Sequence, residues 1–191
     1  MIYALVDKET LNQKGVSLKT LLQHIASFPN IPLLQYRNKF ASLEEKKEDL
    51  ETIRKYYDGT LIINDNIELI AYTDGLHLGQ EDIRKYSDDL QEAVNLVRKK
   101  IGTKLLGLST HDKAEILEAN TLDLNYIGLG AYRATNTKSE ANVGGKSLLD
   151  AAQHSKHPVG IIGGVLIDDI FEAPIVYKVI GSGLYCGIDH S

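Results

Sequence analysis

The chain has 191 residues, of which 43% are hydrophobic and 25% charged, a composition typical of one compact globular domain with a sizeable core. The formal net charge of −5 and the acidic isoelectric point argue against a nucleic-acid or membrane surface, and no apolar run approaches the ~18 residues of a membrane span. A single cysteine, Cys186, forms no disulfide within the chain, and the absence of a basic and apolar leader favours a cytoplasmic location.

Short apolar runs alternate with amphipathic stretches along the chain, which is the rhythm of repeated βα units. The predicted strands lie at residues 2–6, 32–37, 61–64, 75–78, 104–109, 126–130, 159–163 and 183–187. The predicted helices lie at 17–27, 43–57, 88–100, 113–120 and 147–154. Eight such units predict a closed parallel (β/α)8 TIM barrel of the α/β class. Since 191 residues fall just below the usual size of this fold, we expect a minimal single domain spanning 1–191, with a short N-terminus and no final covering helix.

Two cations lie together at the end of the second predicted strand. Because side chains alternate along a strand, Gln35, Arg37 and Lys39 project to one face. Tyr36 and Asn38 project to the other face. Arg37 offers a planar fork for phosphate oxygens and Lys39 a compact charge, so the pair predicts an anion site. The alternative is an exposed edge strand on which the charges only discourage aggregation.

Two aspartates follow the third and fourth predicted strands. Asp65 ends the run 61–65, and Asp82 follows the run 75–78. Consecutive parallel strands place both carboxylates at the same end of the sheet, where they can share Mg²⁺ with water and substrate phosphate oxygens. We therefore predict a magnesium site for a phosphorylated substrate. In the alternative, Asp65 caps a helix that begins near Ile67, and Asp82 lies in an ordinary turn.

Further polar groups follow the fifth and sixth strands, where a barrel gathers its catalytic residues. The fifth strand ends in Ser109, Thr110 and His111, although Ser109 or Thr110 could equally cap the helix that begins near Asp112. The loop 131–145 is long for a minimal barrel, and its length predicts a lid or a ligand-binding loop.

The loop after the sixth strand carries hydroxyl donors and a third cation. These are Thr135, Thr137 and Lys138. The seventh strand ends in Gly163 and Gly164, where the absence of side chains would let backbone N–H groups approach an anion. Barrels commonly bind phosphate on the loops after strands seven and eight, so this end of the sheet predicts a phosphate site.

Six motifs follow one another over nearly the whole chain. They are Gln-Tyr-Arg-Asn-Lys at 35–39, Ile-Asn-Asp at 63–65, the segment 74–82, Gly-Leu-Ser-Thr-His at 107–111, Tyr-Ile-Gly-Leu-Gly at 126–130 with Thr-Asn-Thr-Lys at 135–138, and Gly-Gly at 163–164. In this order and spacing the chain resembles the thiamine phosphate synthase family and its close relatives, the thiazole tautomerases.

The resemblance implies a transferase that couples 4-amino-2-methyl-5-pyrimidinylmethyl pyrophosphate with a thiazole ethyl phosphate, through a pyrimidine carbocation, to give thiamine phosphate and pyrophosphate. Its cofactor would be Mg²⁺, held by Asp65 and Asp82. Its catalytic cations would be Arg37, Lys39 and Lys138. Its substrate-binding residues would be Gln35, Tyr36, Asn38, Asn64, Ser109, His111, Thr135, Asn136, Thr137, Gly164, Gly187 and Ile188. The implied partners are small phosphorylated molecules, and a homo-oligomer is left open.

Two other functions remain open at this point. A thiazole tautomerase needs an acid/base group instead of a metal, and His111 matches the position of that relative's catalytic histidine. A non-catalytic relative that binds phosphorylated ligands is the other. The family pattern fits least well over 166–191, where Asp189 would repel a phosphate unless it points away.

Overall fold

A closed barrel of eight parallel strands forms the centre of the protein, in the order β1 to β8 with β8 pairing back to β1. The structure is a computed structural model that describes residues 1–28, 30–133 and 144–188. The strands are β1 (Ile2–Asp7), β2 (Leu33–Arg37), β3 (Thr60–Asn64), β4 (Gly75–Leu78), β5 (Leu105–Thr110), β6 (Tyr126–Leu129), β7 (Val159–Ile162) and β8 (Ile175–Ile180). The predicted barrel is confirmed.

Helices cover the outside of the barrel. They are α1 (Lys8–Lys14), α2 (Leu18–Ile25), α3 (Leu43–Tyr56), α4 (Gln80–Ile83), α5 (Leu90–Ile101), α6 (Lys113–Ala119) and α7 (Lys146–Ala152), with 3-10 helices at Ile67–Tyr72 and Ser182–Tyr185. The five predicted helices correspond to α2, α3, α5, α6 and α7. The sequence prediction missed α1 and α4. No helix in the described parts of the chain is long and apolar enough to cross a membrane.

Side-chain capping fixes where several of these helices begin. The side chains of Ser17, Ser42 and Asp89 each accept a hydrogen bond from the backbone N–H three residues on. Asp7 does the same for α1, which ends at Gly15 in the left-handed conformation. These caps set the point at which the chain leaves the barrel mouth and enters each covering helix.

Alternate strand side chains point into the barrel and form an inner layer of their own. This layer contains Tyr3, Leu33, Ile62, Tyr126 and Val179. The opposite faces of the strands pack against the helices in the larger core. Since Leu33 faces inwards, the period of two also turns Gln35 and Arg37 inwards at the carboxyl end of β2.

The eighth strand lies at Ile175–Ile180, so the predicted position, 183–187, is wrong. The segment 183–187 instead lies at the end of a 3-10 helix and the turn after it. The sequence carried the signal: Ile175–Ile180 is rich in β-branched residues and tyrosine and is bounded by Pro174 and Gly181, whereas a glycine-rich segment is a poor strand.

The connection between β7 and β8 contains no helix. Residues 163–174, all of which the structure describes, run across the outside of the barrel as irregular chain. Leu166, Ile167 and Ile170 are exposed there, Ile170 to 92%. Every other β-to-β connection carries at least one α-helix or 3-10 helix, so this side of the barrel is the most thinly covered.

Candidate active site

Arg37 lies at the carboxyl end of β2, between β1 and β3. A closed barrel has no sheet edge, so the edge-strand alternative for this charge is wrong. Its Nη1 donates to Oδ1 of Asp7 at 2.5 Å. Asp7 is buried and also accepts from the backbone N–H and the hydroxyl of Thr10. The guanidinium is therefore held in place and partly exposed at the barrel mouth.

The other residues of the motif 35–39 lie on two sides of the sheet. Gln35 is buried inside the barrel, and its Nε2 lies 3.4 Å from Oδ1 of Asn64. Lys39 is exposed beyond the end of β2. The predicted Tyr36 and Asn38 face α3 instead.

Tyr36 and Asn38 lie in the layer between the barrel and α3. The Tyr36 hydroxyl donates to Asp49 of α3, and Asn38 Nδ2 donates to that hydroxyl at 3.1 Å. Burial, together with the nearby Asp49, raises the pKa of Tyr36. The structure therefore gives these two residues a packing role behind the mouth and does not bring them to the site with Arg37.

Asp65 and Asp82 come together beside Gly79. The carboxylate of Asp65 lies close enough to Asp82 and to the Gly79 backbone N–H for both to affect its pKa, which Asp82 raises and the Gly79 N–H lowers. Oδ2 of Asp82 lies beside the Gly79 backbone, 3.0 Å from where a Cβ would stand. The predicted pairing of the two strand ends thus brings both carboxylates to one point.

The helix-capping alternative for Asp65 is wrong. The 3-10 helix at Ile67–Tyr72 is preceded by Asn66 and has no side-chain cap. The Asp65 side chain instead accepts from Asn64 Nδ2. Asp65 itself has φ +63°, a left-handed backbone that aspartate tolerates better than most residues. Asp82 lies in the first turn of α4 and pairs with Lys85 at 2.6 Å.

The electrostatics of this pair favour a bound cation. Burial, and then the charge of Asp82, raise the pKa of Asp65 to about 6, while Arg37 lowers it. Two carboxylates that repel each other at a partly solvated mouth are hard oxygen donors of the kind Mg²⁺ takes one or two of, with water and phosphate oxygens completing its shell. No group of three or more His, Cys, Asp or Glu side chains suited to a metal occurs in the described residues. The carboxylates of Asp65 and Asp82 therefore fit a Mg²⁺ ion whose other ligands include the phosphate oxygens of a bound substrate.

The fifth strand brings Ser109 to the same end of the barrel. Its carbonyl accepts from Gln80 Nε2 at 2.7 Å, which ties β5 to the turn that carries Asp82. Neither Ser109 nor Thr110 caps the following helix, because Asp112 does so. The Thr110 hydroxyl donates to the backbone carbonyl of the neighbouring strand.

His111 lies at the rim rather than inside the mouth. Its side chain is 54% exposed, and Nδ1 pairs with Oε2 of Glu115 at 3.0 Å. The backbone N–H of His111 donates to the same oxygen at 2.7 Å. The histidine predicted as the alternative acid/base group is therefore tied to the start of α6.

A buried chain of hydroxyls and an imidazole runs up the inside of the barrel, and sequence reasoning missed it. The Tyr3 and Tyr126 hydroxyls lie 2.8 Å apart, and the Tyr126 hydroxyl lies 3.1 Å from Nδ1 of His77. Nε2 of His77 lies 2.9 Å from the Ser109 hydroxyl. Burial lowers the pKa of His77 to about 4, so the imidazole is neutral. The sequence contained a signal for this arrangement: His77 lies within the predicted strand 75–78, and its neighbour on β5 is the small residue Gly107.

The close packing of the Tyr126 and His77 rings requires glycine at position 107. A Cβ on Gly107 would stand 2.2 Å from the ring of Tyr126 and 2.6 Å from Nδ1 of His77. Any larger residue would displace one of the two rings, so the glycine that opens the motif 107–111 shapes the barrel interior.

The seventh strand ends in a glycine turn that Arg133 ties down. Gly163 and Gly164 have φ of +98° and +59°. Arg133 donates to the Gly164 carbonyl at 2.9 Å and forms a two-pronged ion pair with Asp169, at 2.6 and 2.9 Å. The first residues after β6 thereby hold the turn in which a phosphate is predicted to bind.

Gly187 and Ile188 lie next to α2. The carbonyl of Cys186 pairs with Nε2 of His24 at 3.1 Å, and a Cβ on Gly187 would stand 3.8 Å from that ring. Ile188 packs against the outer core. Their predicted contact with the thiazole phosphate stays a prediction. Thr135, Asn136, Thr137, Lys138 and Asp189 lie outside the described residues.

Comparison with known proteins places this barrel in a specific group. The model of the family described as "Thiamine monophosphate synthase" matches residues 2–174. A thiamine-phosphate synthase from Caldicellulosiruptor bescii is 35% identical over 164 residues, covering 82% of this chain and 68% of that protein. One from Persephonella marina is 32% identical over 171 residues, covering 86% and 76%.

Solved structures agree on the fold. The thiamine phosphate pyrophosphorylase from Pyrococcus furiosus superposes with a TM-score of 0.75 at 21% identity, covering 95% of this chain and 87% of that one. The corresponding protein from Bacteroides thetaiotaomicron gives a TM-score of 0.59 at 16% identity, covering 100% and 90%. At these identities the likeness is one of fold.

Proposed function

Because the chain belongs to the thiamine monophosphate synthase family, we propose that it joins an aminopyrimidine methyl pyrophosphate to a thiazole ethyl phosphate and releases pyrophosphate. The product is thiamine phosphate. The observation that carries the proposal is the pairing of Asp65 with Asp82 beside Arg37 at the barrel mouth. This arrangement suits a pyrophosphate leaving group better than a proton transfer.

In the proposed reaction the bond between the pyrimidine methylene carbon and the pyrophosphate oxygen breaks, and the thiazole nitrogen then forms a bond to that carbon. Negative charge grows on the departing pyrophosphate as the first bond breaks. A guanidinium already held by Asp7 needs no rearrangement to meet that charge, which is the condition under which a charged donor contributes most to catalysis. Arg37 is therefore proposed to stabilise the leaving group, with Lys39 and Lys138 as the predicted further cations.

Asp65 and Asp82 are the residues that would hold Mg²⁺. When bound, the ion supplies positive charge to the phosphate oxygens. The protein's part is to keep the two carboxylates together, with Asn64 Nδ2 donating to Asp65. Gln35 and Ser109, on the inner face near these groups, are proposed to hold the pyrimidine ring.

Gly163 and Gly164 are proposed to bind the thiazole phosphate through their backbone N–H groups. The family model ends at residue 174, so Gly187 and Ile188, the other residues predicted to contact the thiazole phosphate, lie beyond the matched range. We further propose that both substrates are free small molecules and that the enzyme acts in the cytoplasm.

Incubation of the protein with both phosphorylated substrates and Mg²⁺, with thiamine phosphate followed by chromatography, tests the proposal. Coupled product that disappears on chelation and returns with added Mg²⁺ is expected. Isomerisation of the thiazole that tolerates chelation, with no coupled product at any Mg²⁺ concentration, would instead assign a tautomerase.

A further inference from the structure

The buried series of hydrogen bonds from Tyr3 through Tyr126 and His77 to Ser109 has a fixed donor-to-acceptor direction. This direction follows from where each hydrogen atom can lie. Tyr3 is 2% exposed, and among the described residues its hydroxyl has one hydrogen-bond partner, the hydroxyl of Tyr126. A buried donor with no acceptor is strongly unfavourable, whereas an unused oxygen lone pair is tolerated more easily. The Tyr3 hydroxyl therefore donates to the oxygen of Tyr126.

The next hydrogen follows from the first. With its oxygen occupied by Tyr3, the Tyr126 hydroxyl must place its own hydrogen on the remaining partner, Nδ1 of His77. Nδ1 is then an acceptor, so the single hydrogen of the neutral imidazole lies on Nε2. The reverse direction would leave the Tyr3 hydrogen without an acceptor at the floor of the barrel.

The last hydrogen bond of the series, from His77 to Ser109, reaches the candidate active site at the barrel mouth. Nε2–H of His77 donates to the Ser109 hydroxyl oxygen at 2.9 Å, and within residues 1–28, 30–133 and 144–188 the hydroxyl hydrogen of Ser109 meets no acceptor. Ser109 is half-buried at the carboxyl end of β5, where a ligand in the mouth can reach it.

We infer that His77 is a positioning residue that presets the Ser109 hydroxyl as a hydrogen-bond donor, and that the ligand atom it meets is an acceptor such as a pyrimidine ring nitrogen. The identity of this ligand rests on the proposed function. A donor at this point selects the ring nitrogen over the exocyclic amino group, since the amino group itself donates. The chain of buried groups thus fixes which way round an aminopyrimidine lies.

The tautomer is tested directly on the unliganded protein. The ring ¹⁵N chemical shifts of His77, assigned in the wild-type protein by through-bond correlation to its backbone resonances, should show a protonated Nε2 and an unprotonated Nδ1. A protonated Nδ1 would overturn the inference. This measurement does not depend on any enzymatic activity.

A double-mutant cycle tests whether His77 acts through Ser109. His77→Phe keeps a planar ring, and Ser109→Ala removes the donor. Each should weaken binding of the pyrimidine pyrophosphate, followed by calorimetry, by about three- to tenfold, the value of one hydrogen bond. The double variant should be no weaker than Ser109→Ala alone, and thiazole phosphate affinity should not change.

Additive losses in that cycle, or equal losses for both substrates, would reduce His77 to a packing residue and overturn the inference. If His77→Phe does not fold by circular dichroism, the ¹⁵N result on the wild-type protein decides alone. Failure of the wild-type protein to form thiamine phosphate would refute the proposed function and not the tautomer, so the two failures are distinguishable.

Discussion

Replacing Asp82 by Asn should stabilise the protein in the absence of Mg²⁺ while removing its response to Mg²⁺ and pyrophosphate. Burial and the charge of Asp82 together raise the pKa of Asp65 from 3.8 to about 6. A shift of two pKa units corresponds to an interaction free energy of ~3 kcal/mol if a single neighbour causes the whole shift. Burial is the larger cause and Asp65 is partly exposed, so solvent screening leaves about 1 kcal/mol for Asp82.

The sign of the pH dependence follows from the raised pKa. Asp65 is protonated below its folded pKa, and the repulsion from Asp82 is then absent. As pH rises from about 4 to about 6, Asp65 ionises and the wild-type protein loses stability relative to Asp82→Asn. Above pH 7 the variant should melt ~2–4 °C higher, the shift that ~1 kcal/mol produces in a domain of this size.

Thermal unfolding by circular dichroism across pH 4 to 8 provides the assay. Asp150→Asn, which removes one negative charge from the exposed face of α7, is the matched control and should show no such pH-dependent gain. Mg²⁺ with pyrophosphate should raise the melting temperature of the wild type and of the control but not of Asp82→Asn. Since Asp82→Asn also removes the ion pair with Lys85, the pH dependence decides: a variant whose melting temperature gains nothing on the wild type between pH 4 and pH 8 would refute the idea that the two carboxylates repel each other.

Three further outcomes are expected. Arg37→Lys should lower kcat by roughly 100- to 1,000-fold, because an ammonium cannot reproduce the fork that Asp7 orients; an unchanged kcat would move Arg37 away from the leaving group. His111→Ala should retain most of the coupling activity, since His111 is exposed and tied to Glu115; complete loss, measured as thiamine phosphate formed, would support the tautomerase assignment. Arg133→Ala should raise KM for the thiazole phosphate about three- to tenfold and leave KM for the pyrimidine substrate unchanged, because the glycine turn loses its tie; equal changes in both KM values would contradict this.

The meeting of Asp65 with Asp82 was predictable because its geometry is local to the sheet. Asp65 and Asp82 each follow a strand, and consecutive parallel strands must end side by side, so the sequence places the carboxylates together without any knowledge of loops. The alternation of side chains along β2 likewise predicts that Arg37 and Tyr36 lie on opposite faces of the sheet, as they do in the structure. The sequence alone could not decide between a helix-capping and a metal-binding role for Asp65. That choice depends on the direction of the side chain at the strand end.

The parts that sequence reasoning missed depend on distant pairs. His77 and Tyr126 meet 49 positions apart along the chain, and only the barrel register brings their rings together inside. The error in β8 had a different cause. The predicted strand at 183–187 lies in a short glycine-flanked run, whereas Ile175–Ile180 has much the stronger strand propensity.

The pairing of the first strand with the last has a consequence for how the molecule is made. Ile2 pairs with Lys178 and the backbone nitrogen of Met1 donates to the carbonyl of Val176, so the barrel closes through contacts between segments some 175 positions apart. On the ribosome, β1 emerges first and must wait, with its open side unpaired, until β8 is released. A nascent chain halted before Ile175 therefore presents two unpaired parallel edges, on β1 and β7, which makes the interrupted product prone to aggregation and a natural client for chaperones.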